Sequence, residues 1–505
     1  MQSRLPLATM LLLAAWPFIS FLNNNQEDAL TYSGSILTYA VVFAGLVVLI
    51  ALLAVLVLGR GRMAAVAHVL GVGSVLLFSY LPLSSMLSAL GISLGSIRIA
   101  IWLVISLGVL VAFWRLSRFR ATSQVVFAAA AVMALVPAIG LIGFALQGGK
   151  SEPAVEQQAV VSGSTASRPN VYWFVFDAYS RADVLQDYFD FDNSKFLTAL
   201  EERSFRVADD IFANYASTKY SISTTASMDY YLPAGEPLHP SMWTARLQGF
   251  NPVVRRFRDL GYRYVHAEPG GNNLKTRCGG VEDSCIKSTP TGAISVSEAE
   301  VGLLQLTAAF PILRRLVPAL LSFDFTNLSD VTPRLDFASS RPVFLFAHIL
   351  SPHPPQRFNA RCGLLERVEF DLAGDDYSAV AAGYLNDLRC LNTQILDTVD
   401  AILEADKSNP VIVLQSDHGF RGKGITPLNS DPRVPRELVA YANLHAMRVP
   451  ESCDRTSGEK FSPVNTFRII LSCIDGEVRE LLPNRHFTKQ DGVLHAFDPD
   501  VRRTQ

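Results

Sequence analysis

Three places in this 505-residue chain gather side chains that bind cations or move protons, and each follows a short apolar run. Asp177 follows Val171 to Phe176. His348 and, after Ile-Leu-Ser-Pro, His353 follow Val343 to Ala347. Ser416-Asp417-His418-Gly419 closes the run that begins at Val411. An Asp-His pair offers one hard oxygen and one imidazole to a divalent cation, and Asp177 supplies a third ligand when the runs lie side by side. Taken singly, a carboxylate after a strand is more often a turn or helix-cap residue, and a lone histidine is more often packed. The recurrence at three run ends points to a metal site. No phosphate-cradling glycine loop, no G-x-S-x-G and no H-E-x-x-H occurs, which speaks against nucleotide, serine-hydrolase and zincin chemistry.

The elements that would position these residues are legible. The runs Val171 to Phe176, Tyr262 to Val265, Val343 to Ala347 and Val411 to Leu414 are uninterrupted, β-branched or aromatic, as expected of strands buried on both faces of a mostly parallel sheet. Between them Leu385, Leu388, Asn392, Ile395, Val399 and Ile402 recur three and four apart, the stripe of an amphipathic helix. Strands alternating with helices predict a layered α/β/α domain, in which ligands bind beyond the carboxyl ends of the strands. His266, which also follows a strand-like run, is a reserve candidate for the site.

The first third of the chain is different in kind. Overall, 49% of residues are hydrophobic and 18% charged, too few charges for an ordinary soluble protein. The deficit lies before Lys150, where the only acids are Glu27 and Asp28 and every base is arginine. Five apolar stretches, about 5–22, 36–58, 64–84, 97–114 and 124–146, approach the ~20 residues needed to cross a bilayer as a helix. Arg4, Arg60, Arg62, Arg115, Arg118 and Arg120 fall on alternate connections, with Arg98 the exception. The positive-inside rule then predicts a cytoplasmic N-terminus and an extracytoplasmic second part. Asn23-Asn24-Asn25 makes a poor signal-peptidase site, so the first stretch is expected to stay as a span. The boundaries read from sequence are a transmembrane domain at 1–147, a linker at 148–169 and a catalytic domain at 170–505. The formal net charge of −2 sums a basic membrane part and an acidic outer part and offers nothing to nucleic acid.

All six cysteines lie beyond the linker, an even number in a segment placed outside the cell, which predicts disulfides. Neighbour pairing, Cys278 with Cys285, Cys362 with Cys390 and Cys453 with Cys473, is the simplest of the possible connectivities. Their spacings lack the close C-x-x-C pairs of structural zinc modules.

Four ordered segments carry a family resemblance: Asn170-Val-Tyr-Trp-Phe-Val-Phe-Asp177, Asn214-Tyr-Ala-Ser-Thr218-Lys-Tyr-Ser221, Phe346-Ala-His348-Ile-Leu-Ser-Pro-His353 and Gln415-Ser-Asp417-His418-Gly419. Their order and spacing resemble the alkaline phosphatase and sulfatase superfamily. With a multi-span N-terminal part, the chain is similar to the lipoteichoic acid synthases and lipid A phosphoethanolamine transferases. That resemblance implies an alkaline-phosphatase-like fold and a metal, zinc or manganese, held by Asp177, Asp417 and His418 together with a nucleophilic hydroxyl, for which Thr218 is the best match. Ser217, Ser221 and Ser223 crowd the same stretch. The C/S-x-P-x-R context of formylglycine sulfatases is absent, because Thr218, Tyr220 and Ile222 occupy those positions.

The chemistry implied is transfer of a phospho-alcohol group, of phosphoethanolamine or phosphoglycerol type, through a phospho-threonine. A threonine hydroxyl is a weak nucleophile at neutral pH, and a dication bonded to its oxygen stabilises the alkoxide. His348 and His353 are expected on phosphate oxygens or a leaving group. The expected partners are a phospholipid donor and a glycan or lipid acceptor at the bacterial inner membrane, with catalysis on its periplasmic side. Two alternatives fit the same residues: a phosphate or sulfate ester hydrolase of the same fold, and a catalytically silent membrane protein that uses the domain for binding.

Overall fold

The computed structural model describes residues 4–92, 94–146, 168–270, 276–288, 294–295, 297–316, 321–322, 325–369, 377–422, 425–428, 430–450 and 461–502. The chain divides into two compact units, 1–149 with 296–321, and 150–295 with 322–505. One segment therefore departs from the boundaries read from sequence: 296–321, expected inside the outer domain, belongs to the first unit. Most of the linker expected at 148–169 lies outside the described residues.

The first unit is built on α1 (Arg4–Asn24), which packs against α2 (Gln26–Leu58), α3 (Met63–Leu77) and α6 (Arg120–Leu146) and buries Met10, Leu13, Ala14, Phe18 and Leu22. Among the described residues four helices are long and apolar enough to span a bilayer, and a bent pair brings the number to as many as five. The third apolar stretch is thus no single rod: α3 and α4 (Tyr80–Ala89) meet at a 50° bend. Pro82 explains the break, since in the first turn of α4 it has no N–H to give and its ring crowds the preceding carbonyl. Groups freed at the bend find partners nearby, as an apolar setting requires. The Leu76 carbonyl accepts from Trp102 Nε1 of α5 (Gly95–Leu116) at 3.1 Å and from Ser79 Oγ at 2.7 Å. The Leu81 N–H donates to the Leu306 carbonyl at 3.3 Å.

Leu306 belongs to the returning segment 296–321, which carries the helices Glu298–Gln305 and Ala309–Leu316. Ser297 and Glu300 form a reciprocal capping box at its start. The second oxygen of Glu300 accepts from Tyr39 Oη of α2 at 2.8 Å, so a buried carboxylate is satisfied at both ends.

The second unit is a seven-stranded sheet between helices. Its strands are β1 (Val171–Asp177), β2 (Arg206–Val207), β3 (Arg263–Ala267), β4 (Ser284–Ile286), β5 (Val343–Pro352), β6 (Val411–Ser416) and β7 (His445–Arg448), in the order β2-β7-β6-β1-β5-β3-β4. The five from β6 to β4 are parallel, and β7 runs against β6. Alternate residues of the central strands enter opposite cores. Tyr172, Phe174, Phe176, Leu345, Ala347, Ile412 and Leu414 pack with Leu388, Ile395, Val399 and Ile402 of the helix Tyr377–Ala405. Trp173, Val175, Phe344, Phe346 and Val413 pack on the other face with Ile222, Phe257 and Phe467. Burial on both faces is why these strands read as unbroken apolar runs, each large side chain contributing about 1.5–3 kcal/mol.

The described disulfides are Cys278–Cys285 and Cys362–Cys390. Cys473 is also disulfide-bonded; its expected partner, Cys453, lies outside the described residues.

Candidate metal centre and nucleophile

Register decides what converges at the carboxyl end of the sheet. Phe176 of β1 lies level with Ser416 of β6 and Ile349 of β5, so Asp177 and Asp417 each stand one residue beyond the same level, with His348 one step below it beside Val175. A shift in the β1/β5 ladder after Phe176 sets Asp177 against Pro352.

The turn that follows holds the carboxylates apart and oriented. Ala178 takes a left-handed conformation, φ 65°, which costs a non-glycine residue about 1–2 kcal/mol. In return its N–H donates to Asp417 Oδ1 at 3.1 Å. The same oxygen accepts from the His418 N–H at 2.7 Å. One oxygen of Asp417 is thereby fixed, while Oδ2 is buried with no hydrogen-bond partner and lies 3.5 Å from His418 Nε2. Gly419 is required behind it: a Cβ there would sit 2.2 Å from the Val439 carbonyl and 2.6 Å from that of Ala442.

His418 Nδ1 lies 2.8 Å from the Gly419 carbonyl, so that nitrogen carries the proton and Nε2 keeps its lone pair. Burial pushes the ring down to about 4, against the pull of Asp417, and it is neutral at pH 7. Nε2 is 3.5 Å from Asp177 Oδ1 and 3.5 Å from Thr218 Oγ1. Asp177 Oδ2 is 3.9 Å from His348 Nε2, whose ring is set by a 2.7 Å contact between Nδ1 and Thr276 Oγ1.

Thr218 is the first residue of the helix Thr218–Ser227, with Ser217 at the N-cap making no side-chain capping hydrogen bond. Unlike the buried carboxylates it is half-exposed, so a substrate can reach its hydroxyl. The helix start adds partial positive charge where an anionic substrate would sit. Ser221 and Ser223, which crowd the same stretch of sequence, are buried in the helix, and Ser223 Oγ donates back to the Lys219 carbonyl. Lys219 places its ammonium over the Tyr220 and Trp243 rings, at 5.5 and 5.3 Å.

Asp177, Asp417, His418 and Thr218 therefore come together, and His348 joins them. One ligand atom each from Asp177, His348 and Asp417 lies within 4.8 Å of the others, a spacing that a single ion could bridge. The fit to a divalent cation is good: two carboxylates in a buried site, an Asp417 oxygen left without a donor, and a neutral imidazole lone pair beside both. His348 Nε2 falls among these atoms, 3.9 Å from Asp177 Oδ2. His353 is half-exposed, with Nδ1 on the Pro354 carbonyl at 2.5 Å. The reserve candidate His266 lies inside β3, beside the Phe346 ring, where burial pushes it down to about 3. Two other groups with metal-ligand spacing among the described residues, around Glu268 and Glu282, depend on Cys278 or Cys285, whose sulfurs are tied in a disulfide. Thr276 carries no sequence signal: a threonine in a loop gains meaning only from the histidine it touches.

Fold and site together define a chain of four to five apolar helices joined to a mostly parallel α/β domain with a carboxylate–imidazole centre at its strand ends. No protein-family model matches the chain, and no curated protein does. Among solved structures it is similar to the integral membrane lipooligosaccharide phosphoethanolamine transferase A of Neisseria meningitidis, at 12% identity and a TM-score of 0.42, over 94% of this chain and 95% of that one. It is also similar to the C-terminal periplasmic domain of EcEptC from Escherichia coli in complex with Zn, at 12% identity and a TM-score of 0.42, over 66% and 93% of the two chains. A protein of the alkaline phosphatase superfamily from Vibrio parahaemolyticus aligns over 66% and 75%, with 12% identity and a TM-score of 0.40.

Proposed function

We propose that the chain is a membrane-anchored, metal-dependent transferase that moves a phospho-alcohol group from a phospholipid to a cell-envelope acceptor through a phospho-threonine at Thr218. The observation that carries the reading is the placing of the Thr218 hydroxyl 3.5 Å from His418 Nε2, which lies 3.5 Å from both Asp177 and Asp417. Such a set suits a zinc or manganese ion, which when bound would lower the cost of ionising the hydroxyl. Thr218 Oγ1 then attacks phosphorus, the P–O bond to the lipid alcohol breaks, and the alcohol leaves with a proton. An acceptor hydroxyl attacks the same phosphorus in turn and frees Thr218. The spans would keep the site beside its lipid donor, with the N-terminus cytoplasmic and the α/β domain periplasmic.

The test is mass spectrometry of the Thr218 peptide after incubating the purified full chain with membrane lipids. The expected result is a phospho-alcohol adduct on Thr218, absent from Thr218→Ala protein that melts at the wild-type temperature. Labelling that persists in Thr218→Ala would remove the nucleophile, and free phospho-alcohol as the sole product in the presence of acceptor glycolipid would make the chain a hydrolase. A protein that holds no divalent metal and takes no label would be a binding module.

A further inference from the structure

The short strand Gln356–Phe358 begins four residues after Pro352, the β5 residue level with Asp177, and carries Arg357. This arginine is 2% exposed, and among the described residues none of its three guanidinium nitrogens has a hydrogen-bond partner. Leaving a buried cation without acceptors costs several kcal/mol, and proteins rarely retain one that nothing repays. Asp387, the obvious candidate partner, is committed elsewhere. Its two oxygens accept the Arg357 backbone N–H at 2.9 and 3.1 Å, and Oδ1 also accepts that of Phe358 at 2.8 Å. Asp387 therefore fixes the strand rather than the side chain. The guanidinium carbon lies over the Phe325 ring, 3.7 Å from its centre. Stacking covers one face and leaves the in-plane N–H edges for an acceptor. Burial lowers the group to about 10, against the pull of Asp387 and Asp177, so it is charged at neutral pH and within electrostatic reach of the metal-binding carboxylate.

We infer that the Arg357 guanidinium is an oxyanion-binding group of this site, taking two oxygens of a tetrahedral phosphoryl or sulfuryl ester while the ester is held against Thr218. A planar fork of N–H donors matches that geometry, and charge-assisted bidentate pairs are the strong ones. The assignment rests on the reading of the site as one that handles such a group, and gives it a substrate-contacting residue outside the Asp, His and Thr set.

The experiment is titration calorimetry of the full chain in detergent with inorganic phosphate, and in a second arm inorganic sulfate, each with zinc saturating and with chelator. Three variants are compared: Arg357→Gln, Arg357→Lys and Arg357→Ala, the last with and without millimolar guanidinium ion. Wild type should bind at least one of the two anions, and Arg357→Gln should bind it at least about tenfold more weakly. Arg357→Lys should fall between them, since it keeps the charge and loses the fork, and guanidinium should restore affinity to Arg357→Ala. The anion preferred by wild type names the ester class. Zinc binding should be unchanged in all variants, which separates anion recognition from collapse of the site. Equal affinity in wild type and Arg357→Gln, or no binding of either anion by zinc-loaded wild type, would overturn the inference. If Arg357→Gln does not fold, the comparison of wild type with Arg357→Lys decides. Arg357-dependent binding without any label on Thr218 would refute transfer while leaving this assignment intact.

Discussion

Replacing Asp417 by Asn should reverse sign with metal. In metal-free protein the Asp417 and Asp177 carboxylates place ligand atoms within 4.8 Å of each other, and Asp417 Oδ2 has no donor. At an effective dielectric of 20, two charges at that separation repel by roughly 3.5 kcal/mol. Asparagine removes this repulsion. It keeps an acceptor for the Ala178 and His418 N–H groups, but each bond ceases to be charge-assisted, a loss of about 1 kcal/mol per bond. The metal-free variant should therefore be at least as stable as wild type, by about 1 kcal/mol. With zinc at about a hundred times its dissociation constant, wild type gains ~2.7 kcal/mol. Taking ~2.1 cal/mol/K per residue over roughly 330 residues, that is a rise of about 4 °C in the melting temperature. Asp417→Asn, lacking an anionic ligand, should show little of it. The assay is thermal unfolding of the detergent-solubilised chain in chelator and across a zinc titration. A variant that responds to zinc like wild type, or that melts several degrees lower in chelator, would refute the placing of Asp417 at a metal.

Three further outcomes follow from packing and burial. Gly419→Ala should drive a Cβ into the Val439 and Ala442 carbonyls, costing about 1–3 kcal/mol and displacing His418, read as a lower melting temperature together with weakened zinc binding. His445, buried and pushed down to about 3, is neutral in the folded protein while its unfolded counterpart titrates near 6.5. The unfolded chain binds more protons below that value, so stability should be full above about pH 6.5 and fall as the pH drops toward 3, with a shallower slope in His445→Phe in urea unfolding between pH 4 and 7. Removing the Cys362–Cys390 disulfide, which joins residues 28 apart, should cost ~3.5 kcal/mol by chain entropy, seen as a lower urea midpoint in the doubly Ser-substituted protein.

The strand-end logic was legible because the parallel sheet is buried on both faces. Val171 to Phe176 and Val411 to Leu414 had to be apolar throughout, which made the first polar residue after each stand out. Convergence itself was not legible, since register depends on pairings between residues hundreds apart, such as Val175 with His348 and with Gln415. The same gap hid Thr276 and Arg357, whose meaning comes from a histidine 72 residues away and from a buried guanidinium that makes no hydrogen bond among the described residues. His266 misled in the opposite direction: it sits in the tail of a strand-like run, and only the sheet shows that the strand continues to Ala267 and keeps it inside. In the first unit hydropathy found every apolar stretch, but it is blind to direction, so the bend at Pro82 passed as a single span.

The return of 296–321 to the first unit bears on the order in which the protein is made. Synthesis delivers α1 to α6 first, yet the carbonyl that accepts the Leu81 N–H and the carboxylate that accepts from Tyr39 belong to residues 306 and 300. The bundle stays unfinished while some 150 further residues emerge, including β1, the Thr218 helix and β3. Its completion is a late event, coupled in time to the emergence of the first half of the sheet. A gene cut near residue 149 would leave the first unit without 296–321 and carry that segment off with an otherwise whole second unit.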